Sequence, residues 1–452
     1  MKRFNTTGVC VPSKHYMVDL SERVEEIKKL VDDGKYFTIN RARQYGKTTT
    51  LTALEKALLG EYYVVSMDFQ AYGNETFADA DTFCRDFASG SCSKLLRYAK
   101  PGDELNAALG QLEALSDDNG KVRLFKLFTA LNVIWVSAEK PIVLIIDEID
   151  SASDNQVFLD FLAQLRLQYL EREKDNDYKT FQSVILAGVT DVKHLRSKIR
   201  DEEQHKVNSP WNIASDFDID MSLSADGIRG MLDEYEADHN TGMDTAHLAK
   251  QIRAYTGGYP FLVSRLCQIM DERLVPEILQ TLYDAWTDRG LDEAVKQILS
   301  ERNTLFDSLS GKLENYPGLK NTLKKILMNG ERITYSPDQE DVSQMLMYGF
   351  VRVDANAIKI ANRIFETRLY NYFLSGEESK NDRFVREGDL DRNIFVKDGK
   401  LDIVMIMEHF CETYTQIFGP LEDRFKEKDG REQFLLYLRP IINGPGNYYI
   451  EA

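Results

Sequence analysis

The chain has 452 residues, with 56 Lys and Arg against 73 Asp and Glu for a formal net charge of −17. At about 150 residues per domain that length suggests about three domains. An apolar share of 43%, with 23 Phe and 22 Tyr, supports sizeable cores and excludes a disordered or collagen-like chain; the acidic balance excludes indiscriminate binding to nucleic acid or anionic membrane. The five cysteines (Cys10, Cys84, Cys92, Cys267, Cys411) make neither a zinc spacing nor a disulfide framework, and the opening residues hold no apolar run. A cytoplasmic protein without a membrane span is therefore expected.

In chain order, Ser21 gives a capping-box-like start to a helix over 21–31, and YFTIN (36–40) follows as a short strand. LTALEKALLG (51–60) reads as an amphipathic helix closed by Gly60, and YYVVSMDF (62–69) as a second buried strand. Residues 74–139 are mostly helical, broken by turn signals at KPGD (100–103) and DDNG (117–120). PIVLIID (141–147) is nearly all apolar, as a central parallel strand covered on both faces must be. A helix over about 155–173 leads to FQSVILAGV (181–189), a further buried strand. Strands alternating with helices at this spacing predict a doubly wound α/β layer of about 220 residues. From about 224 the pattern is helical, and GFVRVDANAIKIA (349–361) reads as a hairpin turning at DANA. The polar stretch SGEESKNDR (375–383) reads as a linker before the last segment.

Two strings carry chemistry. RARQYGKT (41–48) lies between a strand and a helix and matches the phosphate loop G-x-x-x-x-G-K-[ST], except that Arg41 stands at the first glycine. In such a loop backbone N–H groups at a helix N-terminus cradle phosphates, the lysine neutralises them, and the hydroxyl ligates Mg²⁺. Arg43, Gln44, Tyr45, Gly46, Lys47, Thr48 and Thr49 are the candidate nucleotide contacts, with Thr48 also on the metal. In IVLIIDEID (142–150) a buried strand delivers Asp147 and Glu148 at its carboxyl end. Asp147 is the candidate partner of Thr48 on Mg²⁺, and Glu148 the group that orients and deprotonates an attacking water. Thr190, just past the next strand, is a candidate sensor of the terminal phosphate, with a simple strand-ending threonine as the alternative. Arg196 and Arg200 are candidate arginine fingers, in this chain or across to a second copy, with Arg200 the preferred one. In TGGYPFLV (256–263), Tyr259 and Pro260 either cover an adenine or only form a sharp helix–helix turn, and Arg265 could point back at the phosphates.

With VCVPSKHYMVDL (9–20), YFTINRARQYGKTTTL (36–51), LIIDEID (144–150), NSPWNIASDFDIDMS (208–222) and TGGYPFL (256–262), the sequence resembles AAA-like ATPases of the STAND/archaeal-ATPase branch. Within them it is most similar to bacterial AAA-ATPase-like proteins that carry a C-terminal PD-(D/E)XK nuclease-like domain. The resemblance implies an α/β P-loop NTPase core (ASCE/AAA-like) over 1–223, a helical lid over 224–301 and a winged-helix domain over 302–375. Over 376–452 it implies a linker and the start of a nuclease-like domain, with Glu432 at the helix-borne acidic position and the remaining catalytic residues beyond Ala452. It also implies that Arg41 is a tolerated variant, that Gly258-Tyr259-Pro260 is a G-x-P signature, and that Trp211 fixes the loop after the sensor strand. The expected function is an ATP- and Mg²⁺-binding, hydrolysing regulatory switch. The rivals are an ATPase-regulated DNA nuclease whose nuclease half is truncated here, and a degenerate nucleotide-binding scaffold. DNA through the winged helix, an unidentified protein and a second copy of the chain are the expected candidates for partner, beside the nucleotide.

Overall fold

In a computed structural model the first 20 residues form no run long enough to show strand periodicity, yet β1 (Arg3–Phe4) and β2 (His15–Tyr16) pair in parallel. The structure describes residues 2–116, 120–153, 155–189, 210–378, 384, 386–388, 395–397, 400–418 and 427–442. Then come α1 (Ser21–Asp32), β3 (Tyr36–Asn40), α2 (Lys47–Leu58) and β4 (Tyr63–Asp68). The expected helical stretch resolves into α3 (Ala80–Leu95), α4 (Glu104–Glu113) and α5 (Leu124–Ser137). β5 (Ile142–Asp147), α6 (Gln156–Lys174) and β6 (Ser183–Gly188) complete the alternation.

The four long strands form one parallel sheet in the order β3-β6-β5-β4. Strand β6 thus lies between the strand that leads into the phosphate loop and the strand that ends in Asp147. Beyond β3 the chain continues the sheet at Ser215, which bridges Phe37 in parallel and donates its N–H to the Tyr36 carbonyl at 2.8 Å. Strands β5 and β6 are buried along their whole length, because helices cover both sheet faces. Tyr36, Val65, Leu144, Ile146, Val184 and Leu186 pack on the side of α3, α4, α5 and α6. Phe37, Ile39, Val64, Val143, Ile145 and Ala187 pack on the side of α1 and α2. The period-2 alternation of a strand is what divides one apolar run between two cores.

Next follow α7 (Ala225–His239), α8 (Thr245–Thr256), α9 (Pro260–Glu272), α10 (Leu282–Ala285) and α11 (Asp288–Ser300). After them come α12 (Thr304–Asn315), α13 (Pro317–Asn329), α14 (Glu340–Met347), β7 (Val351–Asp354), β8 (Ala357–Ile360) and α15 (Arg363–Glu378). The strands β9 (Val396–Lys397) and β10 (Lys400–Leu401), then α16 (Ile403–Phe418) and α17 (Glu427–Ile442), end the described chain. The β7–β8 hairpin turns where the sequence places it, with Ala355 and Asn356 both in the left-handed region that a two-residue hairpin turn requires. The chain forms two compact units, Met1–Asn240 with Gly258–Arg265, and Thr241–Gly257 with Leu266–Ala452. Helix α7, which sequence places in a separate lid from 224, belongs to the first unit: its Tyr235 ring lies 5.2 Å from both Phe4 and Tyr16.

Trp211 is fully buried and its indole N–H donates to Thr38 Oγ1 on β3 at 2.9 Å, while its ring stacks on Tyr36. The string around it is therefore an anchor that brings residues 210–222 back to the sheet edge. Trp211→Phe leaves the Thr38 hydroxyl buried without that donor. It is expected to lower the unfolding free energy by about 1–3 kcal/mol, read as a shifted denaturant midpoint at unchanged slope; an unshifted midpoint would remove the anchor role.

Candidate functional site

Strand β3 hands over to the phosphate loop without a break, since the Arg41 N–H donates to the Gly188 carbonyl at 3.1 Å and so extends the β3–β6 ladder. Within the loop only Gln44 (φ 57°) and Gly46 (φ 80°) are left-handed. That alternation turns successive backbone N–H groups toward one side, the geometry of an anion nest. Gly46 is also the N-cap of α2. A Cβ there would come no closer than 3.8 Å to Pro260, so backbone conformation rather than space demands glycine. Helix α2 opens at Lys47, and its first-turn N–H groups have no carbonyl partner inside the helix.

Lys47 is 5% exposed, and its ammonium donates to the Arg41 and Ala42 carbonyls at 3.0 and 3.1 Å. Burial lowers its pKa, and the carboxylates of Glu148, Asp150 and Asp147 oppose that shift. Thr48 Oγ1 donates to Asp147 Oδ2 at 2.7 Å, joining α2 to the end of β5. The other Asp147 oxygen accepts the Glu148 N–H at 2.9 Å. Glu148 itself sits at φ 53°, an uncommon conformation for a side chain of its size. Burial pushes the Glu148 carboxyl up, Lys47 pulls it down, and Asp147, Asp150 and Asp68 raise it further. The arrangement gathers a cation, a hydroxyl and two carboxylates at the carboxyl end of the sheet beside a helix N-terminus. The chemistry of that donor set fits a polyphosphate and a hard divalent cation. Among the described residues no set of three or more His, Cys, Asp or Glu is gathered to hold a metal; a Mg²⁺ site of the ordinary kind needs only one or two carboxylates, with waters and phosphates completing it.

A cavity of about 680 Å³ runs along α2 from Thr49 to Ala57, lined among others by Cys10, His15, Asp19, Thr49, Lys56 and Asp226. It forms because the N-terminal strap crosses α2. The Cys10 N–H donates to Thr49 Oγ1 at 3.2 Å, and the Tyr16 hydroxyl to Asp238 on α7 at 2.7 Å. The strap escapes sequence reading, since its strands are two residues long; VCVPSKHYMVDL itself is its only signal.

Residues 5–375 match the sequence profile of the AAA-like domain. The chain belongs to that family. A WD repeat-containing protein of Synechocystis is 25% identical over 276 residues, covering 59% of this chain and 21% of that protein. The match thus spans about a fifth of the relative's length. A Walker-type ATPase of Pyrococcus abyssi shares the fold at a TM-score of 0.51 and 13% identity, over 81% of this chain and 99% of that one. The ORC2 protein of Aeropyrum pernix aligns at a TM-score of 0.39 and 12% identity, over 82% of this chain and 98% of that one, and adds nothing to the fold assignment. The fold is that of a P-loop ATPase.

Within this AAA-like chain Gly46, Lys47, Thr48, Asp147 and Glu148 come together, and the loop residues Arg43, Gln44 and Tyr45 form its outer turn. Thr49 turns its hydroxyl to the strap, accepting from Cys10, instead of facing the loop. Tyr259, read from sequence as either an adenine cover or part of a helix–helix turn, is 2% exposed and lies under the loop; its hydroxyl donates to the Arg43 carbonyl and its ring meets Tyr45 edge-on at 4.7 Å. Burial raises the pKa of that phenol well above the usual tyrosine range, so it stays a donor. Pro260 faces Gly46. Thr190, Arg196 and Arg200 lie outside the described residues. Glu432, expected at a nuclease-like acidic position, faces Lys324 at 3.8 Å.

Arg41 has a different task from the glycine it replaces. Its backbone is not left-handed, so a Cβ costs nothing there. Its guanidinium donates to the Phe217 and Ile219 carbonyls at 3.3 and 3.0 Å and lies 5.3 Å from the Phe217 ring centre. Arg41→Gly restores the motif but removes this clamp, so it is expected to lower the melting temperature; one as high as the parent's would show the clamp to be idle.

Proposed function

We propose that this chain binds ATP with Mg²⁺ in the loop 41–49 and hydrolyses it, using the cycle as a switch. The observation that carries the reading is the Thr48–Asp147 hydrogen bond beside Lys47 and left-handed Gly46. Thr48 and Asp147 would hold Mg²⁺, which supplies charge neutralisation at the terminal phosphates. Lys47 and the N–H groups of the loop bind the phosphates, and Glu148 is placed to accept a proton from water. The cavity under the strap would take the nucleoside, with Cys10, His15 and the outer face of α2 around it. The loop keeps left-handed Gly46 with Arg41 in place, which supports nucleotide binding over the scaffold reading.

In the second unit, α12, α13, α14 and the β7–β8 hairpin fit a winged-helix module. Its chemistry disfavours DNA as the partner. Residues 336–347, which contain α14, hold Asp338, Glu340 and Asp341 and no Lys or Arg, and such a helix repels a phosphate backbone. On α13, Lys320 donates to the Tyr372 hydroxyl at 3.0 Å and Lys324 faces Glu432, which leaves Lys325 as the exposed cation of the three on this helix. A protein partner fits this unit better.

Lys47→Ala is expected to abolish ATP binding, and Glu148→Gln to keep binding but lose turnover, measured by calorimetry and phosphate release; ATP bound by Lys47→Ala as tightly as by the parent would sink the assignment. Cys84, Cys92 and Cys267 are buried while Cys411 is exposed. In a Cys411→Ser background, maleimide labelling of Cys10 is therefore expected to slow when ATP and Mg²⁺ are added. Unchanged labelling at saturating ATP would place the nucleoside elsewhere.

A further inference from the structure

The turn that carries Glu148 is tied to strand β6 by a residue so far given no role. After Glu148 the chain makes a 3-10 turn over Ile149–Ser151. Asp150 Oδ2 accepts the Val189 N–H at 2.7 Å, at the point where the chain leaves β6. Gly188 makes this approach feasible: a Cβ there would stand 2.6 Å from Ile149 Cγ1 and 3.2 Å from Asp150 Oδ2. Ile149 is fully buried, and the Ser151 hydroxyl donates back to the Glu148 carbonyl at 2.9 Å. The left-handed Glu148 is thus held from both sides, by Asp147 before it and by the Asp150–Val189 bond after it.

A carboxylate at 150 is electrostatically unfavourable where Asp147 and Glu148 already stand, and it raises the Glu148 carboxyl's proton affinity. A role in geometry offsets that cost. A residue in an uncommon backbone region persists only where its surroundings over-determine it. We infer that Asp150 is a positioning residue for hydrolysis: by accepting the Val189 N–H it staples the 148–150 turn to β6 and fixes where the Glu148 carboxylate points. The inference rests on the ATPase reading of the site but concerns a contact that reading does not use.

The test uses the full chain with Asp150→Ala, Asp150→Asn and Gly188→Ala, and Glu148→Gln beside them. Asp150→Ala is expected to lower kcat about ten- to hundredfold, the scale set by a misplaced reacting group, with KM and ATP affinity changed by less than about threefold. Gly188→Ala, which displaces Ile149 and Asp150 by added bulk, should do the same. Asp150→Asn retains an oxygen to accept the Val189 N–H and should stay near the parent. In the nucleotide-free protein, amide exchange at Val189 should quicken in Asp150→Ala and not in Asp150→Asn. Unchanged kcat in a folded Asp150→Ala overturns the inference, as does an Asn variant as impaired as Ala, which would assign the effect to charge. If Asp150→Ala does not fold, Gly188→Ala decides by the same kcat criterion. Full turnover by Glu148→Gln would instead defeat the role given to Glu148, absence of turnover in the parent chain would defeat the ATPase reading, and in either case the exchange measurement would still report on the staple.

Discussion

The hydrogen bond from Thr48 to Asp147 spans 99 residues of chain, and almost everything else in the first unit serves to make it possible. Thr48 is placed by the turn from β3 into α2, Asp147 by the last residue of β5. The two strands are not neighbours, because β6 lies between them. Their carboxyl ends therefore align only if the β3–β6 and β6–β5 registers both hold. In-register pairing of Tyr36 with Val184 and of Val184 with Leu144 provides that. A slip of one residue in either ladder would turn every side chain of a strand to the opposite face. Two separate apolar cores, one on each side of the sheet, penalise such a slip twice.

Charge governs the site once it is assembled. Lys47 is buried among carboxylates, where desolvation and attraction work against each other. Its ammonium is bonded to two loop carbonyls, so the cation is held at the floor of the loop. Asp147, Glu148, Asp150 and Asp68 bring several negative charges to the same sheet edge. That edge favours a bound cation, and the left-handed loop with its helix N-terminus favours the anion that brings one. The two preferences are met together by a metal-bound polyphosphate.

Several contacts at the site are braces. Tyr259 supports the Arg43 carbonyl from below, Trp211 fixes residues 210–222 to β3, and Arg41 clamps the carbonyls of Phe217 and Ile219. Arg172, at the end of α6, likewise donates to the Phe181 and Gln182 carbonyls at 2.8 and 2.9 Å, where the chain enters β6. Trp211 does so through the Thr38 hydroxyl, while Tyr259, Arg41 and Arg172 satisfy backbone carbonyls. They hold loops in place where secondary structure has run out.

Strand positions, the hairpin at DANA and the group Gly46, Lys47, Thr48, Asp147 and Glu148 are legible in the sequence, because each rests on local pattern: alternation, a turn that needs positive φ, a helix start after a strand. The hydrogen bonds that Arg41, Thr49, Tyr259 and Asp150 make were visible only in the tertiary structure. Motif spacing read Arg41 as a departure, Thr49 as a nucleotide contact, and Tyr259 as either a base cover or part of a helix–helix turn. Asp150 stood in plain view in DEID and carried no signal, since its partner lies 39 residues on. What a long polar side chain does depends on which backbone groups the fold leaves unsatisfied within its reach. For Arg41 those carbonyls come from segments 176 and 178 residues away, a distance over which sequence pattern holds no information until the sheet has formed.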